Sequence, residues 1–153
     1  MSETKIIILD FDGTLADTAS VIVQTTQATI RELGLPSRTD AECAAMIGLR
    51  LIEIPPVLFP DCEVDGELYA ETYRRLFKTF NTDGAVTLYP NVMETLHELK
   101  GRGYTLTIAS SRSNNSLKEY IDNLDLASTI TYILGGNDVS NGKPHPEAVD
   151  MTL

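Results

Sequence analysis

The sequence predicts an α/β fold in which a parallel sheet with flanking helices is interrupted by a helical insertion. Three short apolar runs have the character of buried strands, at residues 6–9, 104–109 and 130–134. Helical periodicity separates the second run from the third, and this alternation is typical of parallel strands joined by right-handed crossovers. Residues 18–83 show helical patterns and no convincing strand, which predicts a separate helical unit.

The composition indicates a globular chain and excludes several classes of partner. Its 153 residues suffice for one ordinary core or a core with a small appendage, and 42% of them are hydrophobic. The net charge of −10 leaves little from which to build the basic face that nucleic acid requires. No apolar run is long enough to cross a bilayer. Because Cys43 and Cys62 show neither metal-type spacing nor a disulfide framework, the reducing cytoplasm is the predicted compartment.

The helical insertion is predicted from three stretches. Apolar residues recur at helical spacing after the first strand, with Asp17 as the expected N-cap and Gly34 as the expected end. Residues 37–49 predict a second helix, whereas three prolines within residues 54–62 predict a loop or a bend. We expect a third helix, over residues 65–80, to carry one stripe at helical spacing: Leu68, Thr72, Leu76 and Phe80.

The remaining helices are predicted on either side of the second and third strands. Pro90 suits the start of a helix that Gly101 ends. Asn114 or Asn115 is the expected cap of the next helix. That helix should bury a face at helical spacing: Leu117, Tyr120, Ile121 and Leu124. Residues 146–153 have the pattern of the beginning of a further helix.

Polar residues follow all three predicted strands. Asp10 comes directly after the first strand, Ser110 after the second, and Lys143 a short loop beyond the third. The carboxyl ends of parallel strands meet at one edge of the sheet, where ligands bind in such folds. We therefore expect the three side chains to lie close together and to form the functional site.

Asp10 and Asp12 are separated by one residue, so in extended backbone both side chains point to the same side while Phe11 points into the core. Two crowded carboxylates repel each other unless a metal ion or a shared proton relieves the repulsion. Both solutions suit phosphoryl transfer, in which one carboxylate attacks phosphorus and the other protonates the leaving oxygen. Gly13 would allow the sharp turn that brings backbone amides near a phosphate.

Three segments carry a family resemblance. The segment DFDGTLADT, at residues 10–18, resembles the first motif of the haloacid dehalogenase superfamily. TIASSRSN, at residues 107–114, resembles the second motif, and GGNDVSNGKPHPE, at residues 135–147, is similar to the third. YPNVMETLHELKGRGYTLTIAS, at residues 89–110, also resembles the helix and strand of phosphoglycolate phosphatase-like members, which points to the phosphoglycolate phosphatase-like and β-phosphoglucomutase-like subgroup. The resemblance implies a Rossmann-like core from residues 1–16 and 85–153, with a helical cap at residues 17–84.

The resemblance also implies roles for individual residues. Asp10 would be the nucleophile and Asp12 the general acid and base, with Mg²⁺ bound by the Asp10 carboxylate and the Asp12 backbone carbonyl. The implied phosphate ligands are Ser110, Ser111 and Lys143. Arg50, in the cap, is a candidate for binding a second anionic group of the substrate.

In the family an acidic pair in a fourth motif completes the Mg²⁺ site, after a strand that follows the lysine helix. The 153-residue sequence does not include this motif. We therefore expect a core that is incomplete at its C-terminal end, weak Mg²⁺ binding and poor hydrolysis. An exposed edge of the sheet would favour self-association.

Three functions remain open at this point. The first is a Mg²⁺-dependent phosphatase of small phosphorylated metabolites, with phosphoglycolate, a sugar phosphate and a nucleotide all possible as substrate. The second is a non-catalytic family member that binds phosphate or serves as an interaction module. The third is a receiver-type phosphoacceptor domain, which would carry its phosphorylated aspartate on a middle strand and would have no helical cap.

Overall fold

The computed structural model describes residues 3–153, which fall into two compact units. The first unit comprises the residues up to Asp17 together with Leu88–Leu153, and the second comprises Thr18–Thr87. The sequence predicts residues 17–84 for the second unit. The observed limits lie one residue later at its start and three residues later at its end.

The first unit contains a parallel sheet of three strands, β1 (Lys5–Leu9), β2 (Tyr104–Ala109) and β3 (Tyr132–Leu134), in the order β1-β2-β3. Leu9 is paired with Ile108, so β1 and β2 end at the same edge. The third strand ends there too, because its last residue is paired with the last residue of β2. This arrangement confirms the predicted α/β fold.

Seven α-helices lie in residues 3–153. Four belong to the second unit: α1 (Ala19–Glu32), α2 (Asp40–Ala44), α3 (Ile54–Leu58) and α4 (Gly66–Phe80). Three belong to the first unit: α5 (Val92–Gly101), α6 (Asn114–Asn123) and α7 (Glu147–Thr152). None of these helices combines the length and the apolar character that a membrane span would need.

Two helices of the first unit, α5 and α7, pack against its strands, and α6 has a buried face of its own. Ala148 of α7 packs with Ala109 and Leu134, the last residues of β2 and β3. Three of the four residues predicted for the inner face of α6 are buried: Leu117, Tyr120 and Ile121. The fourth, Leu124, lies beyond the end of the helix and is only partly buried.

The second unit has its own core, and its longest helix buries only part of the predicted stripe. Leu68 of α4 is 50% exposed. The buried residues of this helix are Tyr69, Ala70, Thr72 and Tyr73. Tyr69 packs in the core with Cys43 and Phe59. Thr72 is buried as predicted and Leu76 and Phe80 are partly buried, whereas Tyr69 and Tyr73 enter the core in place of Leu68 because large aromatic side chains dominate core packing.

The prediction of a loop across the prolines at residues 54–62 is wrong at its start, where α3 forms. Pro55 and Pro56 occupy the first turn of this helix. The N–H groups of that turn have no partner within a helix, so proline removes no hydrogen bond there, and its fixed φ suits the helix. The helix ends at Leu58, two residues before Pro60.

Two predicted helix caps lie one residue from the observed ones. Thr18, which is fully buried, is the N-cap of α1, and Asp17 precedes it. Ser113 is the N-cap of α6, where its Oγ accepts a hydrogen bond from the Ser116 N–H. Asn114 and Asn115, the two residues predicted as alternatives for the cap, are the first two residues of the helix, and Asn114 Nδ2 donates to Asp138 instead.

Candidate active site

The turn after β1 places the two aspartates. The Phe11 carbonyl accepts hydrogen bonds from three successive amides, those of Thr14, Leu15 and Ala16, at 3.1, 2.9 and 3.1 Å. Gly13 has a φ of +76°, which glycine adopts without steric cost. The Phe11 side chain is fully buried, as predicted, and Asp10 and Asp12 lie on either side of it in the chain.

Asp10 and Lys143 are in direct contact. The Lys143 Nζ donates to Oδ1 of Asp10 at 2.9 Å and to the Ala109 carbonyl at 3.1 Å. The pair is accessible, because 45% of the Asp10 side chain and 35% of the Lys143 side chain remain exposed. Residues 133 positions apart are thus brought together at the carboxyl edge of the sheet.

Asp12 forms the second ion pair of the site, with Arg112. The Nη2 of Arg112 lies 2.6 Å from Oδ1 of Asp12, and its Nε lies 3.3 Å from Oδ2. The guanidinium therefore engages both carboxylate oxygens, in the forked geometry that distinguishes arginine from lysine. This pair is largely buried, with side-chain exposures of 10% for Arg112 and 13% for Asp12.

The sequence reasoning did not identify Arg112, although it stands inside the second motif. Its partner is 100 positions away in the chain, so no local pattern could reveal the pair. The signal available in the sequence was one of charge, because two carboxylates, Asp10 and Asp12, were assigned to the site with only one cation, Lys143. A site with a crowded acidic pair needs charge compensation at both members, and Arg112 was the nearest unassigned basic residue to Ser110.

Arg112 is itself surrounded by side chains from α6. Its Nη1 donates to Ser116 Oγ at 2.9 Å, and its Cζ lies 4.9 Å from the centroid of the Tyr120 ring. Tyr120 also packs against Phe11, with ring centroids 5.5 Å apart. Burial raises the pKa of Tyr120 to about 12, although the neighbouring guanidinium opposes the increase. The phenol is therefore neutral throughout the physiological range.

The turn after β2 holds both predicted serines. Ser110 is 7% exposed, and its amide donates to the Leu134 carbonyl at 2.9 Å. Its Oγ accepts a hydrogen bond from the Arg112 N–H at 3.1 Å, which leaves the hydroxyl hydrogen free to be donated elsewhere. Ser111, the next residue, is half-buried.

The loop after β3 packs tightly against the start of α6. Asp138 Oδ2 accepts hydrogen bonds from the Gly135 N–H at 2.8 Å and from Asn114 Nδ2 at 2.6 Å. The Gly136 N–H donates to the Arg112 carbonyl at 2.7 Å. A Cβ at Gly135 would lie 2.4 Å from the Asn114 nitrogen, so only glycine fits. Asp138 thus has a structural role in holding the loop.

Arg50 lies in the second unit and has a local partner there. Its Nε and Nη2 donate to Glu53 Oε1 at 2.9 and 2.8 Å, and its backbone amide donates to Oε2 at 3.0 Å. The guanidinium is thereby used in the 3₁₀ turn that precedes α3. Its predicted contact with substrate stays a prediction.

The oxygen donors at the end of β1 fit a magnesium ion. The exposed Asp10 carboxylate and the Asp12 backbone carbonyl are hard ligands, and Mg²⁺ commonly takes one or two carboxylates and keeps several waters. Residues 3–153 contain no group of three or more His, Cys, Asp or Glu side chains arranged to hold a metal.

Comparison with known proteins assigns the family. A family model described as haloacid dehalogenase-like hydrolase matches residues 7–153. The "probable phosphatase IndB" of Dickeya dadantii is 34% identical over 145 residues, covering 93% of this chain and 63% of that protein. The phosphoglycolate phosphatase of Aquifex aeolicus is 28% identical over 152 residues, covering 97% of this chain and 68% of that protein. This chain thus spans less than two thirds of the length of the Dickeya protein.

Solved structures agree with this assignment. The crystal structure of a haloacid dehalogenase-like hydrolase from Bacteroides fragilis has a TM-score of 0.89 and 26% sequence identity. The similarity covers 98% of this chain and 71% of that one. Together with the match over residues 7–153, it extends to the core strands, all three motifs and the helical unit. The chain therefore belongs to the haloacid dehalogenase-like hydrolase family.

Proposed function

We propose that this chain is a phosphatase of small phosphorylated metabolites that works through an aspartyl-phosphate intermediate. The observation that carries the proposal is the contact between Asp10, at the end of β1, and Lys143 at an exposed edge of the sheet. A carboxylate that is accessible and lies beside a cation is suited to attack a phosphoryl group, whose own charge the cation attracts. Membership of a hydrolase family and relatives named as phosphatases support the same reaction.

In the first half-reaction an oxygen of Asp10 attacks phosphorus in line with the ester oxygen. A bond forms between Asp10 and phosphorus while the bond from phosphorus to the ester oxygen breaks. Asp12, which must carry a proton at the start of this step, gives that proton to the departing oxygen, and the alcohol leaves. The product at this stage is phosphorylated Asp10 with Asp12 as a carboxylate.

In the second half-reaction water attacks the phosphorus of the aspartyl phosphate. Asp12 accepts a proton from that water, the bond between Asp10 and phosphorus breaks, and inorganic phosphate leaves. Both aspartates return to their starting states. The sum is one phosphate ester and one water converted to one alcohol and one phosphate.

The remaining groups of the site neutralise and orient the phosphoryl oxygens. We assign this role to the Lys143 ammonium and to the hydroxyls of Ser110 and Ser111, since phosphoryl transfer depends mainly on positioning and charge. Mg²⁺, held by the Asp10 carboxylate and the Asp12 backbone carbonyl, would supply further charge neutralisation when bound.

The proposed substrate class is a small phosphate monoester such as phosphoglycolate. The name of the Aquifex relative supports this choice. The net charge of −10 opposes anions in general, so the local donors of the site would have to select the substrate. The thiols of Cys43 and Cys62 are unpaired, which agrees with a cytoplasmic location.

Self-association through the sheet is a separate proposal. In residues 3–153 β1 is hydrogen-bonded to β2 and stands at an edge of the sheet. An unpaired edge can accept a strand from a second copy. Light scattering over a range of concentrations tests this, and a strictly monomeric protein would contradict it.

The receiver-type alternative is not supported. A receiver domain carries its phosphoacceptor aspartate on a middle strand, whereas β2, the middle strand, is followed by Ser110. The family match over residues 7–153 also assigns the chain to a different family.

The test of the proposed function is hydrolysis of phosphoglycolate and of p-nitrophenyl phosphate in the presence of Mg²⁺. We expect slow phosphate release with both substrates, in line with the expected weak Mg²⁺ binding, and a phosphorylated Asp10 in acid-quenched protein, detected by peptide mass spectrometry. Asp10→Asn should remove both signals while leaving the circular dichroism spectrum unchanged. Binding of tungstate without any turnover would instead favour the non-catalytic, phosphate-binding alternative.

A further inference from the structure

We propose that Arg112 is the residue that positions Asp12 for proton transfer, and that α6 in turn positions Arg112. The inference rests on the proposed function, because it assigns Asp12 the transfer of a proton to and from the reacting oxygens. It follows from the forked contact, in which Nη2 and Nε of Arg112 engage the two oxygens of Asp12 at 2.6 and 3.3 Å.

A forked pair fixes more than a single hydrogen bond does. Two parallel contacts define the plane of the carboxylate as well as its position, and the planar guanidinium is rigid. A carboxyl group that must face the leaving oxygen in one half-reaction and a water in the next benefits from such a defined orientation. Misplacement of a reacting group by about 1 Å can cost on the order of 10²-fold in rate.

The guanidinium can impose this orientation because it is itself held from two further directions. Ser116 and Tyr120 are four residues apart and therefore lie on one face of α6. Ser116 accepts a hydrogen bond from Nη1, and the Tyr120 ring lies beneath Cζ. Tyr120 also contacts Phe11, the residue between the two aspartates, so the support extends from α6 back to the turn after β1.

The contacts of Arg112 distinguish it from Lys143. Lys143 contacts the proposed nucleophile with a single ammonium in an exposed setting, with a side-chain exposure of 35%. Arg112 is 10% exposed and directs three of its nitrogens to Asp12 and Ser116. A guanidinium with its donors so engaged is arranged to hold a side chain, whereas a phosphate ligand needs donors directed at the phosphate.

The first test uses the leaving group as a probe of proton transfer. The p-nitrophenolate ion departs without a proton, whereas the alkoxide of phosphoglycolate needs one. We expect Arg112→Lys, which keeps the charge and loses the fork, to slow formation of the aspartyl phosphate from phosphoglycolate by about 10²-fold in rapid-quench measurements. From p-nitrophenyl phosphate the same step should slow less than about threefold, because that leaving group needs no proton from Asp12. An equal slowing of this step with both substrates would mean a purely structural role and would overturn the inference.

The second test asks whether Arg112 acts through Asp12. In the presence of Asp12→Asn, the further change Arg112→Gln should alter kcat less than about threefold, because the group that it positions is already absent. If the two substitutions instead lowered kcat independently, so that their separate losses multiplied in the double variant, the inference would be wrong. The matched control is Arg102→Gln, which removes an arginine from the exposed pair of Arg102 with Glu98 on α5 and should leave the kinetics unchanged.

The third test does not require turnover, so it separates failure of this inference from failure of the proposed function. The paired change Asp12→Asn with Arg112→Gln removes one charge of each sign and keeps two hydrogen-bonding amides. Calorimetry should give the same tungstate affinity for this variant and the wild type, within about threefold, whereas Lys143→Ala should weaken it. A tenfold weaker affinity in the paired variant would make Arg112 an anion ligand and would overturn its assignment as a positioning residue, whether or not the wild type hydrolyses any ester.

Discussion

Each of the two ion pairs of the site joins an aspartate to a basic side chain, but the two carboxylates are held differently. Asp10 meets the single ammonium of Lys143, and 45% of its side chain is exposed. Asp12 meets both arms of the Arg112 fork, and 13% of its side chain is exposed. A nucleophile must leave its partner to form a bond with phosphorus, whereas an acid must point in a fixed direction. The exposed setting of Asp10 therefore suits its proposed role as nucleophile, and the restrained setting of Asp12 suits its proposed role as acid.

Removal of Asp12, the proposed general acid, should have the largest effect on turnover. Asp12→Asn should lower kcat for phosphoglycolate by about 10²–10⁴-fold, which is the usual contribution of general acid–base catalysis. With p-nitrophenyl phosphate, formation of the aspartyl phosphate should be affected far less, because that leaving group needs no proton. Rapid-quench measurement of phosphorylated Asp10 checks this, and equal effects on both substrates would contradict the assignment of Asp12.

The buried pair should matter more for folding than the exposed one. Arg112→Gln leaves the Asp12 carboxylate largely buried without its cation and should lower the free energy of unfolding by about 3 kcal/mol. Lys143→Gln, in the exposed pair, should cost no more than about 1 kcal/mol. Urea unfolding of both variants measures the difference. Equal losses of the free energy of unfolding would show that the more buried Asp12–Arg112 pair contributes no more to stability than the exposed pair.

The exposed pair should matter more for anion binding. Lys143→Ala removes a charged donor from the proposed phosphoryl site, and such hydrogen bonds contribute about 1.5–3 kcal/mol. We therefore expect tungstate to bind about 10- to 100-fold more weakly. Calorimetry at constant ionic strength provides the measurement, and an unchanged affinity would mean that Lys143 serves only to compensate the charge of Asp10.

The smallest effect should come from Ser110, the proposed neutral donor to the phosphate. Ser110→Ala removes one hydroxyl, whose hydrogen bond contributes about 0.5–1.5 kcal/mol, so tungstate affinity should fall about 2- to 10-fold. The same calorimetric titration measures it. A loss larger than that of Lys143→Ala would reverse the assigned order of the two phosphate ligands.

Much of the first unit could be predicted because its signals are local. Continuous apolar runs marked the strands, and β2 begins and ends at the predicted residues. The contact of Asp10 with Lys143 followed from topology, since parallel strands end at one edge. The turn after β1 also had a local signal, because the buried Phe11 and the glycine after Asp12 are neighbours in sequence.

The features that sequence reasoning missed depend on packing between distant segments. The face that α4 buries depends on the core around Tyr69, and no periodicity within the helix distinguishes that face from its neighbour. The pair of Arg112 with Asp12 requires β1, the turn after β2 and α6 to be in place together. Such pairs are set by the fold and have no pattern in the chain.

The contact between the loop after β3 and the turn after β2 has a consequence for protein engineering. Gly135 lies so close to Arg112 and Asn114 that a single added carbon cannot be accommodated, and the Gly136 amide is bonded to the Arg112 carbonyl. The loop that carries Lys143 and the turn that carries Arg112 therefore form one module. A graft intended to change the substrate preference of this scaffold should transplant residues 110–114 and 135–146 together, since either segment alone would meet a mismatched neighbour.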